Sequence, residues 1–202
     1  ATVVKGSTYL KDVVWTKDES PYLVTGDVTI SSGRSLTIKE GVKVIFLANS
    51  DDTEGGEEKY DSELLVEGTI SVLGTAAEPV TFTSSETAPS KGDWGGIRHK
   101  KTGVFEYAIL EYSGYGIYYH TDWSNAGLVV DNSIITYTAS DQYGVKALGS
   151  LQMTSSTIQG PGEGVGLQVE GNNRSITVDN VGFSGVEDAI RISGNFRGTD
   201  TL

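Results

Sequence analysis

Two interleaved series of apolar residues run through the C-terminal half of the chain. In the first series, two apolar positions five residues apart return every 23 to 25 residues. These pairs are Phe105/Leu110, Val130/Ile135, Met153/Ile158 and Val178/Phe183. In the second series, one apolar residue preceded by Gly or Ala returns every 20 to 28 residues. Its members are Ile97, Ile117, Val145, Leu167 and Ile190. A repeating register of this length is typical of a solenoid, in which one small unit stacks on itself.

The residues around the second series alternate as they do in strands with one buried face. We therefore expect its five members to point into a lumen and to stack on one another in parallel strands, about 4.8 Å apart. Three short strands per turn of roughly 23 residues predict an all-β, right-handed, single-stranded parallel β-helix of roughly seven coils. A left-handed hexapeptide helix would need a tighter repeat with fewer insertions.

The N-terminal half carries the strand pattern less regularly. Strand-like segments lie at 26–30, 35–38, 41–46, 65–74 and 79–83, and the chain then runs into Gly92-Asp93-Trp94-Gly95-Gly96-Ile97. This stretch resembles the opening coils of secreted bacterial right-handed parallel β-helix-repeat proteins, which have the fold of the pectate-lyase-like superfamily. The resemblance implies a fold and a secreted or cell-surface setting, without fixing one activity.

The two ends of the predicted solenoid differ. Residues 1–23 precede the first clear coil, and we expect them to form an N-terminal cap, because open strand edges invite pairing with another chain. Residues 24–202 are then one β-helix domain with an acidic insertion at 51–63. No capping pattern follows the strand at Ile190. We expect that C-terminal coil to be open, or covered by a partner or a further domain.

Composition narrows the classes of partner. The 27 acidic and 15 basic residues give a formal net charge of −12, which argues against nucleic acid or an anionic membrane as a partner of the whole surface. The absence of cysteine excludes disulfides, thiolate catalysis and cysteine-based zinc sites. The sequence has no apolar run of the roughly 18 residues needed for membrane insertion as a helix.

The acidic insertion is a candidate metal site. Seven of the thirteen residues from 51 to 63 are Asp or Glu. Calcium prefers several oxygen ligands on a flexible loop, so calcium is a possible cofactor, although no cofactor is required. The candidate ligands are Asp51, Asp52, Glu54, Glu57 and Asp61. The loop lacks the spacing of an EF-hand, and the alternative is a solvated acidic turn.

The residues that follow the second apolar series should point outward and form a row of their own. Aromatic residues at Trp94, Tyr115 and Tyr143, and a loop with His120 and Trp123, are expected near the edges of this row. Such side chains can contact sugar rings and pair with carboxylates. The resemblance implies the same use, because this kind of face commonly holds the polysaccharide in the pectate-lyase-like superfamily. We interpret as substrate-binding residues Arg98, Tyr118, His120, Trp123, Lys146, Gln168 and Arg191. The alternative is a solvated strand face.

No catalytic residue is assigned. Polygalacturonase-like members of the superfamily resemble one another in an Asn-Thr-Asp run, an Asp-Asp pair, a Gly-His-Gly turn and an Arg-Ile-Lys strand. Here the adjacent pair Asp51-Asp52 lies in the acidic loop, Gly-His-Gly is absent, and Arg191-Ile192 is not followed by lysine. The outward row offers no pair of carboxyls for glycoside hydrolysis. His99 is expected to point inward as a hydrogen-bonded residue at a strand end.

These features favour a non-catalytic extracellular module that binds carbohydrate or mediates adhesion. A calcium-assisted polysaccharide lyase that uses the same strand face is the leading alternative, and it would need a basic group beside a uronate. A structural spacer or assembly subunit of a larger surface protein, in end-to-end contact through its C-terminal coil, is the third hypothesis.

Overall fold

The chain coils into three parallel β-sheets. The computed structural model describes residues 1–56, 58–90, 92–120, 126–137, 139, 142–171 and 175–194. Hydrogen-bonded neighbours within each sheet are three strands apart along the chain. The chain therefore visits every sheet once per turn, and the predicted right-handed parallel β-helix is confirmed.

Each coil supplies one strand to sheet A, then one to sheet B, then one to sheet C. The first four coils contain β1 (Thr2–Val4), β2 (Ser7–Tyr9), β3 (Val13–Trp15), β4 (Tyr22–Val24), β5 (Val28–Ile30), β6 (Ser35–Lys39), β7 (Lys43–Phe46), β8 (Leu64–Val66), β9 (Thr69–Leu73), β10 (Val80–Ser84), β11 (Ile97–His99) and β12 (Gly103–Glu106). The remaining coils contain β13 (Ala108–Ser113), β14 (Ile117–Tyr119), β15 (Gly127–Asp131), β16 (Ile134–Tyr137), β17 (Tyr143–Ala147), β18 (Ser150–Thr154), β19 (Thr157–Gln159), β20 (Val165–Glu170), β21 (Ile176–Asp179), β22 (Gly182–Ser184) and β23 (Asp188–Ser193). A 3-10 turn at Lys17–Glu19 joins the first two coils.

The N-terminal segment is a coil of the helix. Residues 1–23 are predicted to be a cap, but β1, β2 and β3 pair in parallel with β4, β5 and β6. Trp15 is buried and stacks on Tyr22, with ring centroids 4.9 Å apart. Residues 2–15 therefore already form a coil of the β-helix, and the coils are not confined to residues 24 onward. Its first strands are three residues long, too short for their alternation to stand out in the sequence.

Both apolar series lie in the lumen in the predicted register. The second series forms one column in sheet B, where each member is the partner of the next. Its first four members are fully buried, and Ile190, on the last described coil, is partly buried. Burial of an aliphatic side chain of this size contributes about 1.5–3 kcal/mol. The stacked columns therefore supply the main driving force for folding.

The turn between sheets C and A repeats a strained backbone geometry. Its residues have φ between 47° and 52° and are Tyr107, Asn132, Ser155 and Asn180. The next residue in two of the coils is a buried serine: Ser133 Oγ accepts a hydrogen bond from Ala108 N at 3.0 Å, and Ser156 Oγ accepts one from Ser133 N at 3.0 Å. The two serines therefore accept hydrogen bonds from backbone N–H groups at the bend, which is a structural role.

A row of mostly small residues lies one position before the lumenal column of sheet B, either just ahead of the strand or within its first two residues. The register places at this position Gly6, Asp27, Glu63, Gly96, Gly116, Gly144, Gly166 and Ala189. A Cβ at Gly116 would lie 2.0 Å from the carbonyl oxygen of Gly144, and one at Gly144 would lie 2.3 Å from Ile158 Cγ2. The residues of this row are therefore small because a larger side chain would collide with the neighbouring coil or with the lumenal side chains. Asp27 and Glu63 are its exceptions, and both are buried.

Candidate functional site

The outward face of sheet B carries the predicted row of polar side chains. Each residue of the row is the register partner of the next, and all except Arg191 are partly buried. The rungs are, in order, Arg98, Tyr118, Lys146, Gln168 and Arg191. Toward the N-terminus the row continues through Leu65, Thr29 and Thr8. The residues thus form a straight ladder along the helix axis, with a rung about every 4.8 Å.

Tyr118 lies at the centre of a cluster of rings and cations. Arg98 Cζ is 5.2 Å and Lys146 Nζ is 5.4 Å from the centroid of its ring. Lys146 Nζ is also 5.5 Å from the centroid of Tyr143, whose ring meets Tyr118 edge-on at 5.6 Å. These separations are within the range of cation–π attraction. Burial raises the pKa of both tyrosines above the usual value, so both phenols remain neutral hydrogen-bond donors.

The cations of the C-terminal rungs have acidic partners. Lys146 Nζ is 3.3 Å from Glu170 Oε1, which also accepts a hydrogen bond from Gln168 Nε2. Arg191 Nε and Nη2 both donate to Asp188 Oδ2, at 3.0 Å and 2.6 Å. These ion pairs lower the positive potential that the sequence alone predicts for the row. Exposed pairs contribute only about 0–1 kcal/mol, so a ligand carboxylate can compete for the same cations.

The expected aromatic margin is only partly at the surface. His120 lies beside the row, with its ring edge-on to Tyr118 at a centroid distance of 5.7 Å. Trp123 lies outside the described residues. Trp94 is fully buried and stacks on Phe46 at 4.0 Å, and Tyr115 is also buried. The prediction that Trp94 and Tyr115 contribute to the surface is wrong, because the turn before sheet B directs them inward.

Two cavities lie at the N-terminal end of the row. The larger, of about 260 Å³, is lined by Gly56, Leu65, Val66, Glu67, Arg98 and Lys100. Within it, Lys100 Nζ is 2.6 Å from Glu67 Oε2. The smaller, of about 180 Å³, is lined by Ser7, Thr8, Asp27, Thr29, Thr53, Gly55, Gly56 and Leu65. Gly56 and Leu65 border both cavities, so the acidic insertion forms one wall of this end of the site.

The acidic insertion folds back onto the first coils through its aspartates. Asp51 accepts hydrogen bonds from the backbone N–H groups of Asp27, Thr53 and Gly55, and from the Thr53 hydroxyl at 2.6 Å. Burial by itself would raise the pKa of Asp51, but these hydrogen bonds lower it below the usual value. Asp52 accepts from Gly6 N at 2.9 Å and from Thr25 Oγ1 at 2.8 Å. Both carboxylates therefore anchor the loop.

The other candidate metal ligands do not converge. Glu54 is 71% exposed in its side chain and lies 3.9 Å from Lys59 Nζ. Asp61 is partly buried, and Glu57 lies outside the described residues. Over the described ranges, no three acidic or histidine side chains are grouped so as to hold a metal ion. The four described members of the predicted set of five ligands therefore do not come together around one metal position.

The structure reveals a buried acidic group that the sequence analysis missed. Asp27 Oδ1 accepts a hydrogen bond from Glu63 N at 2.8 Å. Glu63 accepts from Glu58 N at 3.0 Å and from the Tyr115 hydroxyl at 2.5 Å. Burial raises the pKa of Glu63 to about 7 and also raises that of Asp27. The available signal was the row before sheet B, where carboxylates replace Gly or Ala in two successive coils.

Glycines of the intervening coil let Glu63 reach Tyr115. Glu63 precedes β8 and Tyr115 precedes β14, two coils further on. A Cβ at Gly95 would lie 2.5 Å from Glu63 Cγ, and one at Gly96 would lie 2.5 Å from the Tyr115 ring. The space that these side chains would fill is therefore occupied by the hydrogen-bonded pair of Glu63 and Tyr115.

No helix among the described residues has both the length and the apolar character needed to cross a membrane.

Comparison with known proteins supports the fold. Residues 7–100 match the family model of the pectate-lyase like beta helix domain. Protein bark beetle of Drosophila melanogaster is 32% identical over 81 residues, which are 40% of this chain but 2% of that relative. The search of solved structures gave no significant match. The first coils thus match a pectate-lyase-like β-helix domain, and the whole described chain continues the same parallel β-helix architecture.

Proposed function

We propose that this β-helix is a non-catalytic module that binds an extended acidic carbohydrate along the outward face of sheet B, in a secreted or cell-surface setting. The observation that carries the proposal is the cluster of Arg98, Tyr118 and Lys146 on three successive rungs of one straight ladder, with the ring of Tyr143 beside them. In a chain of net charge −12, this face gathers cations and phenols in a line.

The geometry of the ladder favours a polymer over a single sugar. Equivalent side chains recur about every 4.8 Å along the axis, so a long chain can contact several rungs in series. A monosaccharide can meet only one or two of them. Affinity should therefore rise with ligand length, because each added contact comes without a second loss of translational freedom.

The contacts should be mainly polar. Arg98 and Lys146 occupy the rungs on either side of Tyr118 and lie against its ring. We therefore expect the ligand to meet the hydroxyl edge of Tyr118 and the N–H groups of the flanking cations. The cavity beside Arg98, with Lys100 in its wall, extends the same surface. A uronate or sulfate group suits such donors better than a neutral sugar does.

The acidic side chains along the row support binding rather than catalysis. Glu67 is paired with Lys100, and Glu170 with Lys146. A glycosidase needs one carboxyl that stays protonated and a second carboxylate about 5–10 Å away. Each of these two carboxylates is instead held in an ion pair with a lysine on or beside the row, so both act as salt-bridge partners.

A glycan array, read with and without calcium, identifies the ligand, and titration of the best ligand then tests the site. The variant Lys146→Ala/Arg191→Ala should lose about tenfold in affinity at low salt, since two solvent-accessible charge contacts contribute about 0.5–1 kcal/mol each. The control Lys39→Ala/Lys43→Ala removes the same charge from exposed positions on β6 and β7. It should bind as the parent does.

The variant Tyr118→Ala should weaken binding further, because it removes the ring that orients both flanking cations. If the Lys146→Ala/Arg191→Ala variant bound its best glycan as the parent does, the row would be a solvated strand face, and the structural spacer would become the leading hypothesis. Absence of any acidic glycan ligand on the array would lead to the same conclusion.

A further inference from the structure

We propose that Asp27 and Glu63 form a buried site for one divalent cation of the calcium type, beneath the acidic insertion. The site differs from the five loop carboxylates suggested by the sequence, and it does not depend on carbohydrate binding. Asp27 precedes β5 and Glu63 precedes β8, so the two carboxyls come from stacked positions of adjacent coils.

The first observation is a carboxylate oxygen without a donor. Asp27 is 4% exposed, and its Oδ2 has no hydrogen-bond partner among the described residues. The nearby Thr53 hydroxyl gives its only proton to Asp51 Oδ1 at 2.6 Å. A buried carboxylate oxygen left in this state is costly unless a cation or a proton neutralises it.

The second observation is that Gly55 and Gly56 leave room beside the carboxylates that any larger residue would fill. A Cβ at Gly56 would lie 2.1 Å from Glu63 Oε2 and 2.9 Å from Asp27 Oδ2. A Cβ at Gly55 would lie 3.1 Å from Asp27 Oδ2 and 3.5 Å from Thr53 Oγ1. Three side-chain oxygens therefore surround the inner side of the Gly55-Gly56 pair. The 180 Å³ cavity lined by Asp27, Thr53 and both glycines gives a route from solvent.

The donor set determines the class of ion. Two carboxyls and one hydroxyl are hard oxygen donors, and the chain has no cysteine thiolate to offer a soft metal. Calcium accepts irregular sets of oxygen ligands that include carbonyls and water, whereas magnesium demands a near-ideal octahedron. With two carboxylates, the site should bind calcium weakly, in the range of extracellular modules rather than of cytosolic buffers. A bound cation would hold the insertion against the second and third coils, beside the cavity near Arg98.

The test measures the melting temperature of the chelator-treated chain at pH 7.5, with and without calcium. A concentration of about 10 mM calcium is used because it is about ten times a millimolar dissociation constant. Calcium should raise the melting temperature of the parent by mass action, and magnesium should raise it less. The variant Asp27→Asn keeps an oxygen acceptor for the N–H of Glu63 but loses the anionic Oδ2. Its calcium shift should disappear.

Two further variants locate the ion. Glu40→Gln removes one exposed charge from the turn between β6 and β7, outside the segments that form the site, and should keep the shift. Glu54→Gln removes an exposed loop carboxylate and should also keep it. Loss of the shift in Glu54→Gln together with its retention in Asp27→Asn would place the ion on the outside of the loop and overturn the proposal. No calcium shift in the parent would overturn it as well.

Terbium gives a readout that does not depend on any variant. Terbium added to the parent should show luminescence excited through nearby aromatic rings, among which Tyr115 hydrogen-bonds to Glu63. Calcium should displace this signal. Terbium luminescence that calcium does not displace, or no luminescence, would contradict a calcium site at Asp27 and Glu63 even if Asp27→Asn failed to fold.

Discussion

Acidification should destabilise the protein through His99, the last lumenal residue of β11. The side chain is fully buried, and its ring stacks on that of Tyr119 with centroids 4.9 Å apart. Nδ1 lies 2.9 Å from the carbonyl oxygen of Lys101, which fits a neutral ring that donates from Nδ1. Burial lowers the pKa of His99 to about 4 from its usual 6.5. The folded state therefore resists protonation.

The sign of the effect follows from proton linkage. Below pH 6.5 the unfolded chain binds a proton at this residue, while the folded chain does not until the pH approaches 4. The free energy of unfolding should therefore be unaffected by His99 above pH 6.5 and should fall as the pH drops from 6.5 toward 4. At about 1.36 kcal/mol per pKa unit, the loss reaches about 3 kcal/mol at the acid end of this window.

Urea unfolding of the parent and of His99→Phe, at several values between pH 7.5 and pH 4.5, measures this contribution. The variant lacks the titrating group, so its free energy of unfolding should fall less steeply on acidification. Subtracting the two curves cancels the other titrating groups and any constant packing cost. His99→Leu, which loses the ring stack, should show the same reduced slope. Parallel curves for parent and variants would refute the assignment of a neutral, buried His99.

Three further changes test the lumen and the turn before sheet B. Leu167→Asp should cost several kcal/mol, because a lone carboxylate enters a dry lumen, and a variant that melts like the parent would show the register to be wrong. Gly116→Ala should lower the free energy of unfolding in urea by about 1–3 kcal/mol through overpacking. Gly182→Ala should cost clearly less, because its Cβ would meet nothing closer than 3.7 Å. Equal losses for the two variants would contradict the account of the small-residue row. Tyr115→Phe should cost about 1–3 kcal/mol, since it removes the hydroxyl that donates a buried hydrogen bond to Glu63 Oε1, and an unchanged free energy of unfolding would contradict that hydrogen bond.

The coil register was predictable because the lumen requires apolar residues at alternate positions of each strand, and these positions return at a nearly constant spacing from coil to coil. The columns from Ile97 to Leu167 and the outward ladder from Arg98 to Arg191 follow directly from that period. The first coil was not predictable in the same way. Its short strands carry few alternating positions, and the buried Trp15 stands among charged residues as it would in a cap.

The internal chemistry of the site was less accessible to sequence reasoning. The pairing of Lys146 with Glu170 joins residues on adjacent coils, and alternation alone does not say which neighbouring charges meet. The contact between Glu63 and Tyr115 spans two coils, and it depends on Gly95 and Gly96 to leave room. Carboxylates in a row otherwise filled by Gly and Ala were the one available hint. Their burial could be seen only once the insertion was folded over them.

The length dependence of carbohydrate binding tests the central claim most directly. The ladder from Arg98 to Arg191 has five rungs and four intervals, so it spans about 19 Å. Isothermal titration of the parent with the acidic glycan selected by the array, supplied as a monosaccharide and as oligomers of increasing length, should give dissociation constants that fall with length and level off once the ladder is covered. The affinity of the longest oligomer should also weaken with added salt. A dissociation constant that is the same for the monosaccharide and the longest oligomer would contradict binding along the ladder.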